Sequence, residues 1–162
     1  MISLLYKTKI MNKNIYFLLL FLIAVTSCGK EESLTKTDLL TQSPWILTSS
    51  NYSPPYPTDG GSIVNRYALI PDCYRDDLFY YNPSGTYTNT EGASKCSPSD
   101  PDVWELGVWT FNEDESRIYK GIIDYIFEYD IIKLDGNELQ LQMLISDSLS
   151  NLYTLTDVYK HP

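Results

Sequence analysis

Between Glu138 and Ile145 every second residue is apolar: Leu139, Leu141, Met143 and Ile145 share one face, with Glu138, Gln140 and Gln142 on the other. Successive side chains leave a strand on opposite sides, so this period of two is the mark of a half-buried β-strand. The preceding run, residues 125–134, sets Phe127, Tyr129 and Ile131 against Glu128 and Asp130. Asp135-Gly136-Asn137 lies between the two runs and has the residues of a tight turn. An antiparallel hairpin over 125–145 is expected.

Shorter apolar runs at 45–50, 66–70, 78–81, 85–90, 105–111, 116–119 and 151–159 read as further strands, which makes eight to nine in all. Pro83-Ser84-Gly85 and residues 112–115 supply turns between neighbouring runs. Pro54, Pro55, Pro57, Gly60 and Gly61 predict a loop, and residues 94–102 a second one fixed by Cys96. Helical periodicity is lacking beyond residue 41, although 33–40 fits one short turn of helix. The expected class is all-β. Consecutive hairpins favour an up-and-down antiparallel barrel of about eight strands, in which closure removes exposed edges and the interior is either filled or holds one small ligand. The rival is an immunoglobulin-like sandwich, whose cysteines bracket a core Trp; between Cys73 and Cys96 the aromatics are only Tyr and Phe.

At the other end of the chain, Lys7, Lys9 and Lys13 precede an apolar run over 15–25, and no acid occurs before Glu31. That is the pattern of a secretory signal, residues 1–27, with a core too short for the roughly 20 residues of a spanning helix. Met11 would itself open a normal short signal, leaving residues 1–10 as an extension. Val25-Thr26-Ser27-Cys28 resembles the lipobox of bacterial lipoproteins. The resemblance implies that Cys28 is acylated, becomes the new N-terminus and anchors the protein to a membrane. Gly29-Lys30-Glu31-Glu32 resembles an export signal of surface lipoproteins, the alternative being a solvated charged tether. The expected organisation is a signal over 1–27, a lipidated cysteine and flexible tether over 28–41, and a barrel domain over 42–162. The expected place is the outer membrane, with surface exposure if that export signal operates.

Removing 27 of the 162 residues leaves 135; three lysines and no acid are lost, so the net charge moves from −9 to −12. With the remaining cations scattered, a nucleic-acid partner is excluded, since phosphate binding needs a basic patch. Adhesion to anionic lipid is disfavoured too, which leaves the acyl chains as the membrane attachment. With Cys28 lipidated, Cys73 and Cys96 remain in an oxidising compartment and are expected to form a disulfide. The loop it closes is worth about 3.4 kcal/mol in the chain-entropy picture. The single histidine, His161, stands next to the C-terminal Pro162, so no interior imidazole activates a cysteine or completes a triad.

Along most of the mature chain, about 39–159, the sequence is similar to the lipocalin-like domain lipoproteins. The carriers are Leu39-Leu40 with Trp45, Cys73-Tyr74-Arg75-Asp76-Asp77 leading to Phe79, and Asn82-Pro83-Ser84-Gly85-Thr86-Tyr87. Cys96, Gly107-Val108-Trp109-Thr110-Phe111 and Leu139-Gln140-Leu141 complete them. Ser43-Pro44-Trp45 departs from the pattern, because a lipocalin has Gly two places before the Trp. The resemblance implies a lipocalin-like barrel and, at most, a binding role.

Trp45, Tyr67, Tyr80, Tyr87, Trp109 and Tyr129 are the candidate ligand-binding residues, since aromatics line apolar pockets and stack on sugar rings; the same side chains also fill cores. Tyr52 and Tyr56, with Tyr67, lie in or near the Pro-rich loop, where an open barrel end would receive a ligand. Asp76-Asp77, Asp100 with Asp102, and Glu113-Asp114-Glu115 are the acidic groups that calcium could use, but none has the alternating loop pattern, and no metal or cofactor is expected. No nucleophile–base arrangement is readable, so the expectation is not an enzyme. The expected function is binding of a small apolar or amphipathic molecule by a monomer, with a surface module for a glycan or partner protein as the alternative.

Overall fold

The computed structural model of the chain describes residues 33–162; the signal, Met11, Cys28 and Lys30-Glu31-Glu32 lie outside them. Nine strands among these residues form one antiparallel sheet: β1 (Ile46–Thr58), β2 (Gly61–Asn65), β3 (Leu78–Tyr81), β4 (Thr86–Thr90), β5 (Val103–Phe111), β6 (Arg117–Ile122), β7 (Tyr125–Leu134), β8 (Glu138–Ser146) and β9 (Leu152–Lys160). Their order is β2-β1-β9-β8-β7-β6-β5-β4-β3, so from β3 onward each strand pairs with the next and β9 returns to β1. The ring closes where Trp45, just before β1, exchanges backbone hydrogen bonds of 2.9 Å in both directions with Phe79 of β3. Eight strands thus make an up-and-down barrel, and β2 is a flap on β1 outside it.

The alternation read from sequence sets the pairing. Leu139 faces Tyr159 and Leu141 faces Asp157 across β8 and β9, and Leu134 pairs with Leu139 across β7 and β8. The turn between β7 and β8 is held by Asp135, whose Oδ1 accepts from the backbone N–H of Asn137 at 2.8 Å and of Glu138 at 2.9 Å. A one-residue slip would turn Leu139 and Leu141, both fully buried, out to water.

Three segments differ from the sequence expectation. Residues 66–70 form no strand; Tyr67–Leu69 is a 3-10 turn, started by the Asn65 side chain accepting from the Ala68 N–H at 3.1 Å. The expected loop around Pro54, Pro55 and Pro57 is instead the outer part of β1 and its hairpin into β2. Pairing of β1 with β9 ends at Ser53, and pairing with β2 is interrupted between Asn51 and Tyr56, so Pro54 and Pro55 sit where the ladder needs no donor. Helix α1 (Lys36–Thr41) takes up the last six residues of the expected tether, where 33–40 read as one short turn of helix. Thr35 caps it: its Oγ1 accepts from the Asp38 N–H at 3.0 Å while the Asp38 carboxylate accepts from the Thr35 N–H at 2.9 Å. A second short helix, α2 (Asp72–Arg75), was not signalled by periodicity.

Helix α1 closes one end of the barrel. Its Leu40 is fully buried, and the Trp45 indole N–H donates to the Leu40 carbonyl at 2.9 Å. Below it lie Ile118, Leu139 and Leu141, also out of water, and each such side chain contributes about 1.5–3 kcal/mol by burial. His161 stacks on Trp45 at this end, with ring centroids 3.9 Å apart. The opposite end carries the β1–β2 flap, the 3-10 turn, α2 and the loop between β4 and β5. Cys73 of α2 and Cys96 of that loop are joined in a disulfide, their Cα atoms 5.2 Å apart.

Candidate functional site

The open end leads into a cup of about 760 Å³ inside the barrel. Its walls are Leu47, Phe79, Tyr87, Tyr129 and Tyr159, and its mouth is edged by Ile70, Tyr74, Trp104, Leu106, Ile122 and Phe127. Beside it the backbones of β5, β6 and β7 approach closely. A Cβ on Gly107 would lie 2.3 Å from the Gly121 carbonyl oxygen, and one on Gly121 2.1 Å from that of Tyr125. Gly121 also has φ +145°, which side-chain-bearing residues seldom adopt.

Lys120 of β6 forms the floor. It stands in an inward position two residues from Ile118, is only 6% exposed, and donates from Nζ to the Tyr81 hydroxyl at 2.9 Å. Five rings surround that ammonium, with centroids at 5.1 Å (Tyr129), 5.2 Å (Tyr87), 5.3 Å (Tyr159), 5.6 Å (Tyr81) and 5.7 Å (Phe79). Their negative π-faces replace part of the lost hydration. Burial pulls the Lys120 pKa down, opposed by Tyr129, Asp157 and Glu105. Burial also pushes the phenols of Tyr81, Tyr87, Tyr129 and Tyr159 up, so they remain neutral.

Acceptors share the cup with this cation. Asp157 of β9 is 8% exposed; its Oδ2 has a long 3.5 Å contact with the Tyr159 hydroxyl, and its Oδ1 has no partner. Asp77, just before β3, is 6% exposed with Oδ1 unpartnered, and Asn89 of β4 likewise leaves its Oδ1 unpaired. All three line the cup, together with Glu105 and with Arg66, whose Nη1 donates to Ser50 at 3.2 Å. Burial, then the neighbouring Glu91 carboxylate, pushes the Asp77 pKa up to about 6. Glu91 is itself buried with both carboxylate oxygens unpartnered.

Of the residues read from sequence as ligand-binding, Tyr87 and Tyr129 line the cup. Trp45 and Trp109 are packed in the core, where the Trp109 indole N–H donates to the Asn82 carbonyl at 3.0 Å. Tyr80 faces outward, and Tyr67 lies beneath the Arg75 guanidinium, 5.0 Å from its ring. Tyr52 and Tyr56 pack against each other on the flap, and Tyr56 meets Tyr153 of β9 edge-on. Sequence reading missed Lys120, Asp157, Glu105 and Asn89, and weighed Asp77 only as a calcium ligand. Two of them had a signal: Lys120 follows Ile118, and Asp157 falls between Leu155 and Tyr159, each at the inward step of a period-two strand. The acidic loop groups are engaged locally, Asp76 Oδ2 with Ser94 at 2.9 Å and Asp114 with Ser116 at 2.6 Å. Among the described residues no three or more His, Cys, Asp or Glu are grouped to hold a metal ion.

A closed eight-stranded up-and-down barrel with a ligand-sized interior is the lipocalin type of architecture. No protein-family model and no curated protein sequence matches the chain. Among solved structures it is similar to bovine odorant-binding protein. In that protein's complex with undecanal the TM-score is 0.43 at 14% identity, over 82% of this chain and 77% of that one. In its complex with a selenium-containing odorant the TM-score is 0.42 at 14% identity, over 82% and 76%. Likeness of this degree is slight, and the barrel rests on its own strand pairing.

Proposed function

We propose that this protein is a non-catalytic binding protein that takes one small amphipathic molecule into the barrel cup. What carries the reading is the cup itself: about 760 Å³, open at one end, walled by aromatic rings and floored by a buried ammonium. Pockets for small molecules run to roughly 300–1,000 Å³ and combine apolar walls with a few placed polar groups. Acylation of Cys28 would hold the monomer on the outer membrane, with Lys30-Glu31-Glu32 directing it to the surface.

The test is fluorescence of N-phenyl-1-naphthylamine, an apolar probe that brightens out of water. Wild type should bind it saturably, and Asn89→Trp, which puts an indole into the cup, should lose most of that binding while keeping its circular dichroism. Equal binding by both proteins would overturn the reading. Metabolic labelling with a fatty acid should mark wild type and not Cys28→Ala, and protease shaving of intact cells should degrade the wild type.

A second reading, a surface module, is favoured by a separate observation. Val108 of β5 and Ile126 of β7, neither of them part of the cup, are exposed and stand in register on either side of Gly121 of β6. Val108→Ser with Ile126→Ser should abolish capture of a glycan or protein partner under this reading and leave probe binding in the cup unchanged.

A further inference from the structure

We infer that the molecule the cup takes is a cationic amphiphile: an aliphatic or arylalkyl amine whose ammonium meets Asp157 and whose tail lies among the rings. The inference rests on the ligand-binding reading and adds the chemical class. Its starting point is a mismatch inside the barrel, since a buried acceptor without a donor is costly and ordinarily rare. Asp157 lines the cup and is more than nine-tenths buried, and its Oδ1 has no donor from the protein. Asp77 and Asn89, which also line the cup, each leave one oxygen without a donor.

The one cation on the floor does not resolve the mismatch. Lys120 makes no salt bridge within 4.0 Å among the described residues; its ammonium donates to Tyr81 and sits among the five rings. The charged residues lining the cup are two cations, Lys120 and Arg66, against three acids, Asp77, Glu105 and Asp157. An incoming carboxylate would therefore add a fourth acid to an acceptor-rich site, whereas an ammonium brings donors and removes the excess charge. Aromatic walls suit its apolar tail. A chain with 21 acids against 12 Lys and Arg also draws cations toward the mouth.

Displacement of N-phenyl-1-naphthylamine by octylamine, octanol, octanoate and glucose at pH 7 separates the classes, because the first three share a tail. Octylamine should displace the probe at about tenfold lower concentration than octanol, equivalent to about 1.4 kcal/mol, and octanoate should be weaker still. In Asp157→Asn the advantage of octylamine over octanol should vanish, both displacements being read against that variant's own probe affinity, with circular dichroism unchanged. Octanol, octanoate or glucose displacing as well as octylamine would overturn the inference, as would an undiminished amine preference in Asp157→Asn. In both cases the ligand-binding reading stands. Absence of probe binding to wild type removes that reading, and this inference with it.

Discussion

The two ends of the barrel are built from the same strands and differ in what their inward positions carry. At the closed end those positions hold Trp45, Ile118, Leu139 and Leu141, fully buried against α1, and the Trp45 and Trp109 indoles each find a carbonyl. At the open end they hold Lys120, Asp157 and Glu105, together with oxygens that no protein donor meets. Interiors gain stability from apolar burial and lose it to unpaired polar groups, so one end supplies the fold and the other offsets part of it. A protein selected only to be stable would carry apolar side chains in both places. On the proposed reading the open end is where the ligand sits.

The sharpest break in this contrast is Trp45→Ala, which removes a buried ring at the closure of the barrel and should cost about 3–5 kcal/mol in urea unfolding. A loss as small as that of an open-end substitution would mean the closed end is not the stabilising half. Next, Gly121→Ala forces a Cβ against the Tyr125 carbonyl at a left-handed φ and should cost about 3 kcal/mol, with loss of probe binding as β6 shifts. Lys120→Met replaces a buried charge by an apolar side chain of similar length. It should raise stability by about 1 kcal/mol, since the desolvation of a buried ion often exceeds what its neighbours return. A large loss on unfolding would place Lys120 among the supports of the fold.

The smallest effect expected is a pH dependence from Asp77. Its pKa is raised in the folded state to about 6 from 3.8, so the folded protein holds this proton more tightly than the unfolded chain does. Stability from this group is therefore undiminished below pH 4, falls as pH rises from about 4 to 6, and stays reduced above that. Between pH 4 and 7 wild type should lose about 1 kcal/mol relative to Asp77→Asn, less than the full value of the shift because the cup that Asp77 lines is open to water. Parallel stability curves for the two proteins would show that burial does not strain Asp77.

Strand content, the β7–β8 hairpin, its Asp135-Gly136-Asn137 turn and the pairing of Cys73 with Cys96 were legible in sequence, because each depends on residues close in the chain or on simple cysteine counting. Local signals misled where tertiary pairing decides. Pro54, Pro55 and Pro57 read as a loop because a proline cannot serve a two-sided ladder, yet β1 runs past the edge of β9 and has no such demand there. Residues 66–70 have strand-like composition, but the Asn65 side chain and the following Pro71 favour a turn.

By itself the sequence determined the period of each strand, and with it that one face of β6, β8 and β9 must be inward. Only the tertiary structure decided which inward residues meet. Lys120 lies 39 positions from Tyr81 in the chain, and its ring of aromatics comes from β3, β4, β7 and β9. Closure of the barrel through Trp45 and Phe79 brings those strands around one axis. Alternation along a strand fixes a side chain's direction; what waits across the lumen depends on how the sheet curls shut, which no local pattern contains.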